Sequence, residues 1–208
     1  MTTNNFDKAY SESFDLARQA LLIRDIAKCC ESSGAVLLET SAQSTTLELM
    51  YLNTAVRLVL PAGSCTTPDQ AELHVWDKIL LLHYLINAKT LSGGFREVGF
   101  KDIKSAALYF NLFENRCLKP LEKAFGAAPE NLLERAAALG GMRSQAGDCS
   151  IRLQVLPKVG ITIVIWKADE EFPAAATILF DSTIDQYFSA EDIVVLCQRI
   201  VLQLLGKF

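Results

Sequence analysis

No stretch of this sequence is apolar for long enough to cross a membrane. Its hydrophobic runs are short, Ile79–Leu82 for instance ending at once on His83, against the roughly 18–20 apolar residues that a span requires. The N-terminus, Met1-Thr-Thr-Asn-Asn-Phe-Asp-Lys8, has no basic segment leading into an apolar one. No secretory leader is therefore expected, and the expected location is the cytoplasm. Basic clusters are missing too: 20 Lys and Arg are scattered among 24 Asp and Glu, for a formal net charge of −4. Nucleic-acid binding needs a basic patch that displaces counterions from phosphates, so no nucleic-acid partner is expected. The six cysteines, Cys29, Cys30, Cys65, Cys117, Cys149 and Cys197, contain no Cys-x-x-Cys pair. In a reducing compartment their even number does not argue for disulfides. Cys29 and Cys30 are adjacent, and adjacent side chains on a helix diverge by about 100°, which chelates poorly. No metal site is expected, nor an iron–sulfur cluster built from this chain alone. The Gly-x-Ser-x-Gly elbow, the Gly-x-Gly-x-x-Gly turn and the phosphate-binding loop are all lacking.

What is present is the composition of a globular domain. Half of the 208 residues are hydrophobic and 21% are charged, which argues against disorder and fits one domain spanning residues 1–208. Phe6, Tyr10, Phe14, Ala17 and Leu21 line one face of a helix expected over Phe6–Cys30, stopped by Ser33-Gly34. Strands are expected over Ala35–Glu39, Thr45–Tyr51 and Ala55–Leu60. Thr67-Pro68-Asp69-Gln70 reads as a helix start, opening a helix that runs to about Ala88 and is apolar nearly all round from Ile79 to Ile86. Residues from Ile103 to Leu139 have helical character, with breaks expected near Lys119-Pro120 and over Gly126–Pro129. Ile151-Arg-Leu-Gln-Val155 alternates strictly, and Ile161–Trp166 is a continuous β-branched run that reads as a strand buried on both faces or central. After the acidic loop Ala168–Pro173, where Phe172-Pro173 is expected to pack down as an anchor, Ala175–Phe180 returns as a strand. Ser189-Ala-Glu-Asp192 resembles a capping box before Ile193–Leu205, and Gly206 is a natural stop. The expected fold is α+β, with antiparallel sheet formed from N- and C-terminal strands packed against a central helical region. Whether those strands make one sheet or two is open.

Few residues could carry chemistry. His74 and His83 are nine positions apart on the expected helix, which puts them on opposite faces and rules out a shared metal ion. His83 has Ile79, Leu80, Ile86 and Asn87 as neighbours, the setting of a core histidine, of an axial ligand to a haem or corrinoid, or of a general base. In Ser92-Gly93-Gly94-Phe95-Arg96-Glu97, the glycines Gly93 and Gly94 permit close approach of a ligand and Arg96 could pair with a carboxylate or phosphate. A helix stop followed by a solvated Arg96–Glu97 pair is the structural alternative. Asp169-Glu-Glu171 is an acidic hairpin loop, and Asp181 is expected to hold backbone donors of the turn that follows it.

Lys78-Ile-Leu-Leu-Leu-His83-Tyr-Leu85, Phe95-Arg96-Glu97, Asp169-Glu-Glu-Phe-Pro173 and Phe180-Asp181-Ser182 with Tyr187 and the final helix resemble, in order and spacing, a prokaryotic family known as a domain of unknown function. Some members of that family are labelled iron–sulfur proteins. The resemblance implies an association with corrinoid and methyl-transfer genes, and in some members an added cysteine-rich module. The Phe6–Cys30 segment lacks the closely spaced cysteines of such a module, so the iron–sulfur label does not carry over. Val98-Gly99-Phe100 also departs from the Pro-Gly-Gly turn common in relatives.

The leading expectation is an accessory protein that binds a small ligand, with a tetrapyrrole or corrinoid-type cofactor, or a redox or methyl-transfer protein, as its partner. The expected ligand-binding residues are His83, Gly93, Gly94, Arg96, Glu97 and Asp181. One alternative is an enzyme using His83 with Arg96 and a carboxylate. Another is a structural or oligomerisation module with an apolar patch on Ile193–Leu205. Oligomeric state is not legible.

Overall fold

A computed structural model describes residues 3–89, 96–104 and 106–207. They form two compact units, one made by the chain up to residue 92 together with Gln186–Phe188 and the other by the remainder. Each unit holds one antiparallel sheet, so the expected α+β class is observed and the N- and C-terminal strands belong to separate sheets. No helix among the described residues is long and apolar enough to cross a membrane.

The first unit opens with two helices where one was expected: α1 (Thr3–Leu22) and α2 (Ile26–Ser33). Asp25 starts the second by accepting a hydrogen bond from Lys28 N at 3.2 Å, a local cap that begins a separate helix. Gly34, at φ 79°, ends it, its N–H donating to Cys30 O. Strands β1 (Val36–Thr40), β2 (Thr45–Tyr51), β3 (Thr54–Leu60) and β4 (Ser64–Thr66) follow in that spatial order. Alternation puts Leu47, Leu49 and Tyr51 of β2, with Val56, Leu58 and Leu60 of β3, into the core. Burying each such aliphatic side chain contributes roughly 1.5–3 kcal/mol.

The helix start read at Thr67-Pro68 is not used. Gln70 takes a left-handed conformation, φ 66°, and Thr67 N donates to Ala71 O at 3.0 Å while Leu73 N donates to Cys65 O at 2.8 Å. The segment turns back and pairs with β4 instead. Helix α3 (Val75–Asn87) starts eight residues after Thr67, capped by His74, whose Nδ1 accepts from Trp76 N at 3.2 Å. Its residues Leu80, Leu81, Leu82, Tyr84 and Leu85 are essentially inaccessible, which makes α3 the axis of this unit. Two hydroxyls tie it to the rest: Tyr51 Oη donates to the buried Asp77 Oδ1 at 2.8 Å, and Tyr84 Oη to Ser33 O at 2.6 Å. Tyr84 also stacks against Phe188 and packs at a tilt against Tyr187, and Asn87 Nδ2 donates to Tyr187 O at 3.0 Å.

The second unit begins with the short strand β5 (Glu97–Gly99), followed by α4 (Phe110–Phe113), α5 (Lys119–Phe125) and α6 (Asn131–Ala137). The break expected at Lys119-Pro120 does not occur. Between α4 and α5 the chain widens into a π turn, Glu114–Leu118, with Lys119 N bonded to Glu114 O. That wider turn takes in the Pro120 ring without the clash that an α-helix interior would impose. Strands β6 (Met142–Arg143), β7 (Cys149–Leu156), β8 (Val159–Trp166) and β9 (Ala175–Asp181) precede α7 (Ala190–Leu204). The sheet order is β5-β9-β8-β7-β6.

Strand β8 is central and buried on both faces from Val159 to Ile165, as its β-branched run predicts. One face, with Ile151, Leu153, Ile161, Ile163, Ile178 and Phe180, belongs to the core. There Phe100 and Phe113 stack at 4.1 Å beside Phe180. Helix α7 starts on the expected capping box: Ser189 Oγ accepts from Asp192 N at 3.1 Å and Ser189 N donates to Asp192 Oδ2 at 3.1 Å. Its apolar residues Ile193, Val194, Leu196, Ile200, Val201 and Leu204 are buried. The surface patch expected on this helix is therefore not there.

Candidate functional site

The other face of the second sheet is polar, and its register gathers a cluster there. Glu97 on β5 lies opposite Asp181 on β9, Thr162 on β8 lies opposite Leu179 on β9, and Arg152 on β7 lies opposite Thr162. With a two-residue period, Glu97, Asp181, Gly160, Thr162 and Arg152 all point to one side.

Arg152 is the hub. Its Nη2 donates to Asp181 Oδ1 at 2.6 Å, and its Nη1 donates to Glu97 Oε1 at 3.2 Å and to Thr162 Oγ1 at 3.3 Å. The Thr162 hydroxyl in turn donates to Glu97 Oε1. Gly160 N donates to the other Asp181 oxygen, Oδ2, at 3.1 Å. To reach Asp181 the guanidinium has to cross β8, and Gly160 provides the crossing. A Cβ at that position would lie 2.3 Å from Arg152 Nη2 and 2.7 Å from Cζ. The two carboxylates differ in access: the Asp181 side chain is 16% exposed and that of Glu97 47%. Asp181 is thus the enclosed partner of the arginine and Glu97 the open one.

Of the expected site residues, Glu97 and Asp181 meet here. Asp181 bonds a neighbouring strand and an arginine, not the turn after it as expected. Glu97 pairs with Arg152, not with Arg96. Arg96 is exposed, and its carbonyl accepts from Ser182 N at 2.9 Å, extending the β5–β9 pairing. Gly93 and Gly94 lie outside the described residues. His83 belongs to the first unit, half-buried on α3, whereas Arg96, Glu97 and Asp181 belong to the second.

The sequence reading missed Arg152, Thr162 and Gly160. Alternation in Ile151–Val155 did place Arg152 on the face away from the core. Its partners come from three other strands, and no local pattern encodes that register.

Cys65, Cys117 and Cys197 are buried. Burial pushes Cys65 up to about 12, against the opposing pull of Lys78. It pushes Cys117 up to about 12 as well, against Arg116. Cys197 is also driven upward, by burial and then by Cys117. Because the thiolate is the reactive form, these positions offer little of it at neutral pH. Among the described residues, no group of three or more His, Cys, Asp or Glu is placed to hold a metal ion.

The acidic loop is closed by Asp169, whose Oδ1 accepts from Glu171 N at 2.9 Å and Phe172 N at 2.7 Å. Phe172 does not pack down as expected. It is 66% exposed, because these bonds rather than an apolar anchor hold the loop.

A family model described as a domain of unknown function (DUF3786) matches residues 25–203, a span that encloses the segments carrying the resemblance. No curated protein and no solved structure matches the chain.

Proposed function

The chain belongs to the family described as a domain of unknown function (DUF3786), and from that premise we propose that it is an accessory protein binding a small ligand through an acidic group at Arg152. The observation that carries this reading is the asymmetry of the two carboxylates on that arginine. Asp181 and Gly160 fix the guanidinium in place, while Glu97 occupies its open side from a three-residue edge strand. A ligand carboxylate or phosphate competes with Glu97 for Arg152 Nη1 and the Thr162 hydroxyl. A planar guanidinium suits such a group, presenting its donors in a fixed fork. Tetrapyrrole and corrinoid-type cofactors carry peripheral carboxylates or amides, so they are the first ligands to test. The protein that receives or supplies such a ligand would be a redox or methyl-transfer partner.

The test is titration of the purified chain with haem, cobalamin and inorganic phosphate, followed by absorption and calorimetry. Binding that weakens by about tenfold or more in Arg152→Gln, the loss expected for one charge-assisted contact, supports the reading. Failure of all three to bind below millimolar concentration, or equal binding by Arg152→Gln, overturns it. His83→Gln separates a metal-ligating role from the acidic-group site, because it changes the absorption spectrum of a bound haem or corrinoid only where His83 ligates the metal.

A second reading, an oligomerisation module, is supported by β1. That strand lies at a sheet edge with Val36, Leu37 and Leu38 all exposed, an arrangement open to pairing with another strand. Sedimentation velocity of the wild type and Leu38→Lys decides it. A concentration-dependent dimer lost in the variant supports this reading, and a monomer at all concentrations removes it.

A further inference from the structure

At the opposite end of the same polar face, β8 leaves the sheet at Trp166 and β9 enters it at Ala175, directly across from it. Trp166 lies six positions along β8 from Gly160, about 20 Å along a strand, so this end is distinct from the Arg152 cluster. An open groove of about 470 Å³ lies here, lined by Trp166, Phe172, Pro173 and Ala175, together with Asp148, Asp169 and Lys167. Trp166 is 41% exposed and Phe172 66%. Two large rings left this open on one groove are the side chains that dominate binding energy at protein interfaces.

The groove is built, not accidental. The Trp166 ring is backed by Gly147, where φ is +60° and a Cβ would meet Val164 Cγ1 at 2.6 Å, the Ile165 carbonyl oxygen at 2.8 Å and Trp166 Cε2 at 3.4 Å. Only glycine lets the 144–148 turn lie this close against the strand. Asp148 Oδ2 accepts from Lys167 N at 2.7 Å, so its carboxylate is fixed beside the tryptophan. The Asp169 carboxyl is held below its ordinary range, chiefly by the backbone N–H groups of Phe172 and Glu171, and is ionised at neutral pH. Glu170 and Glu171 extend the negative charge along the exposed loop, and Lys167 sets one positive charge against them.

We propose that this groove docks a basic segment of a partner protein, with an arginine or lysine over the Trp166 ring between the Asp148 and Asp169 carboxylates and an apolar neighbour against Phe172. Charge complementarity selects the occupant. A cation on an indole face between two carboxylates is favourable, whereas an acidic or purely apolar segment would meet a groove and loop whose carboxylates outnumber the one cation, Lys167. The openness of the groove suits a peptide lying along it rather than an enclosed small molecule. Pre-ordering of Trp166 and of the loop lowers the cost of binding.

The experiment pans the full chain, carrying Trp76→Phe so that Trp166 is its one tryptophan, against a random peptide display library. Selected peptides are then titrated by Trp166 fluorescence. The expected result is enrichment of sequences with Arg or Lys beside an apolar residue. Their affinity should fall by about tenfold in Phe172→Ala, as for an interface anchor. It should also fall severalfold in Asp148→Asn and as salt rises from about 0.05 to about 0.5 M. Both substitutions are at the surface, and circular dichroism confirms that the variants fold. Three results overturn the proposal: no enrichment, enriched peptides without basic residues, or binding unaffected by Phe172→Ala. Self-association of the wild type that is lost in Phe172→Ala would also overturn it, by assigning the groove to a second copy of this chain. Because Arg152 is untouched throughout, failure here leaves the acidic-group site standing, and the reverse holds too.

Discussion

Replacing Gly160 by Ala tests whether the polar face is organised around Arg152. The added Cβ would sit 2.3 Å from Nη2, 2.7 Å from Cζ and 3.0 Å from Nε of Arg152, so the guanidinium has to lift away from β8. Doing so breaks the 2.6 Å contact with Asp181. A charge-assisted hydrogen bond to a mostly enclosed carboxylate is worth about 1.5–3 kcal/mol. The contact with Glu97 is discounted to well under 1 kcal/mol, since that side chain is nearly half exposed and screened. Against this loss, Ala in place of Gly within a strand gains about 0.5–1 kcal/mol. The net expectation is a destabilisation of about 1–2 kcal/mol, or a fall in Tm of about 2–8 °C for a chain of this size. In an Arg152→Ala background the obstruction is gone, and the same substitution should stabilise by about 0.5–1 kcal/mol. Urea unfolding followed by Trp166 fluorescence in a Trp76→Phe chain reads all four corners of this cycle. A Gly160→Ala effect of the same sign and size in both backgrounds would refute the argument, because the loss would then have nothing to do with the arginine.

Three further outcomes are expected. Tyr51→Phe removes the 2.8 Å hydrogen bond to the buried Asp77 carboxylate and should cost about 1–3 kcal/mol in urea unfolding; no change would mean that this bond contributes nothing. Ser189→Ala removes the acceptor for Asp192 N at the start of α7 and should lower stability by about 1 kcal/mol, read by thermal unfolding, whereas an unchanged Tm would dismiss the cap as decoration. Burial holds the protons on Cys65 and Cys117 up to about 12, against an ordinary value of 9.0. The folded chain therefore binds these protons more tightly than the unfolded one. Their contribution is complete below pH 9 and is lost as pH rises toward 12, at up to about 1.4 kcal/mol per pH unit for each thiol. Replacing both by Ala should flatten the decline in stability between pH 9 and 11, and an equal slope in the variant would rule these thiols out as its cause.

What could be read from the sequence was what neighbouring residues decide. The strands over Thr45–Tyr51 and Ala55–Leu60, the burial of Ile161–Ile165 and the capping box at Ser189 all rest on contacts a few residues long, and all appear in the structure, while Trp166 at the end of that run is exposed. The failures share a cause. Thr67-Pro68-Asp69-Gln70 carries the chemistry of a helix start, but Leu73 finds a partner on β4, and that longer-range bond wins. Pro120 carries the chemistry of a break, but a π turn absorbs it. Strands β5 and β6, at three and two residues, exist only because β9 and β7 accept them. The site followed the same rule. Glu97 and Asp181 could be named one at a time, but their meeting on Arg152 depends on the register of four strands.

The place of Gln186–Phe188 in the first unit has a consequence for synthesis. Asn87 bonds to the carbonyl of a residue 100 positions later, and the Tyr84 ring packs on those of Tyr187 and Phe188. On a ribosome adding about 5–20 residues per second, roughly 5–20 s pass between the making of α3 and the arrival of the aromatic pair that completes its surroundings. During that interval the first unit exists with one side of Tyr84 uncovered. A chain cut near residue 92 would remain in that state permanently, so the two halves of this protein cannot be separated by a single cut without leaving the first one unfinished.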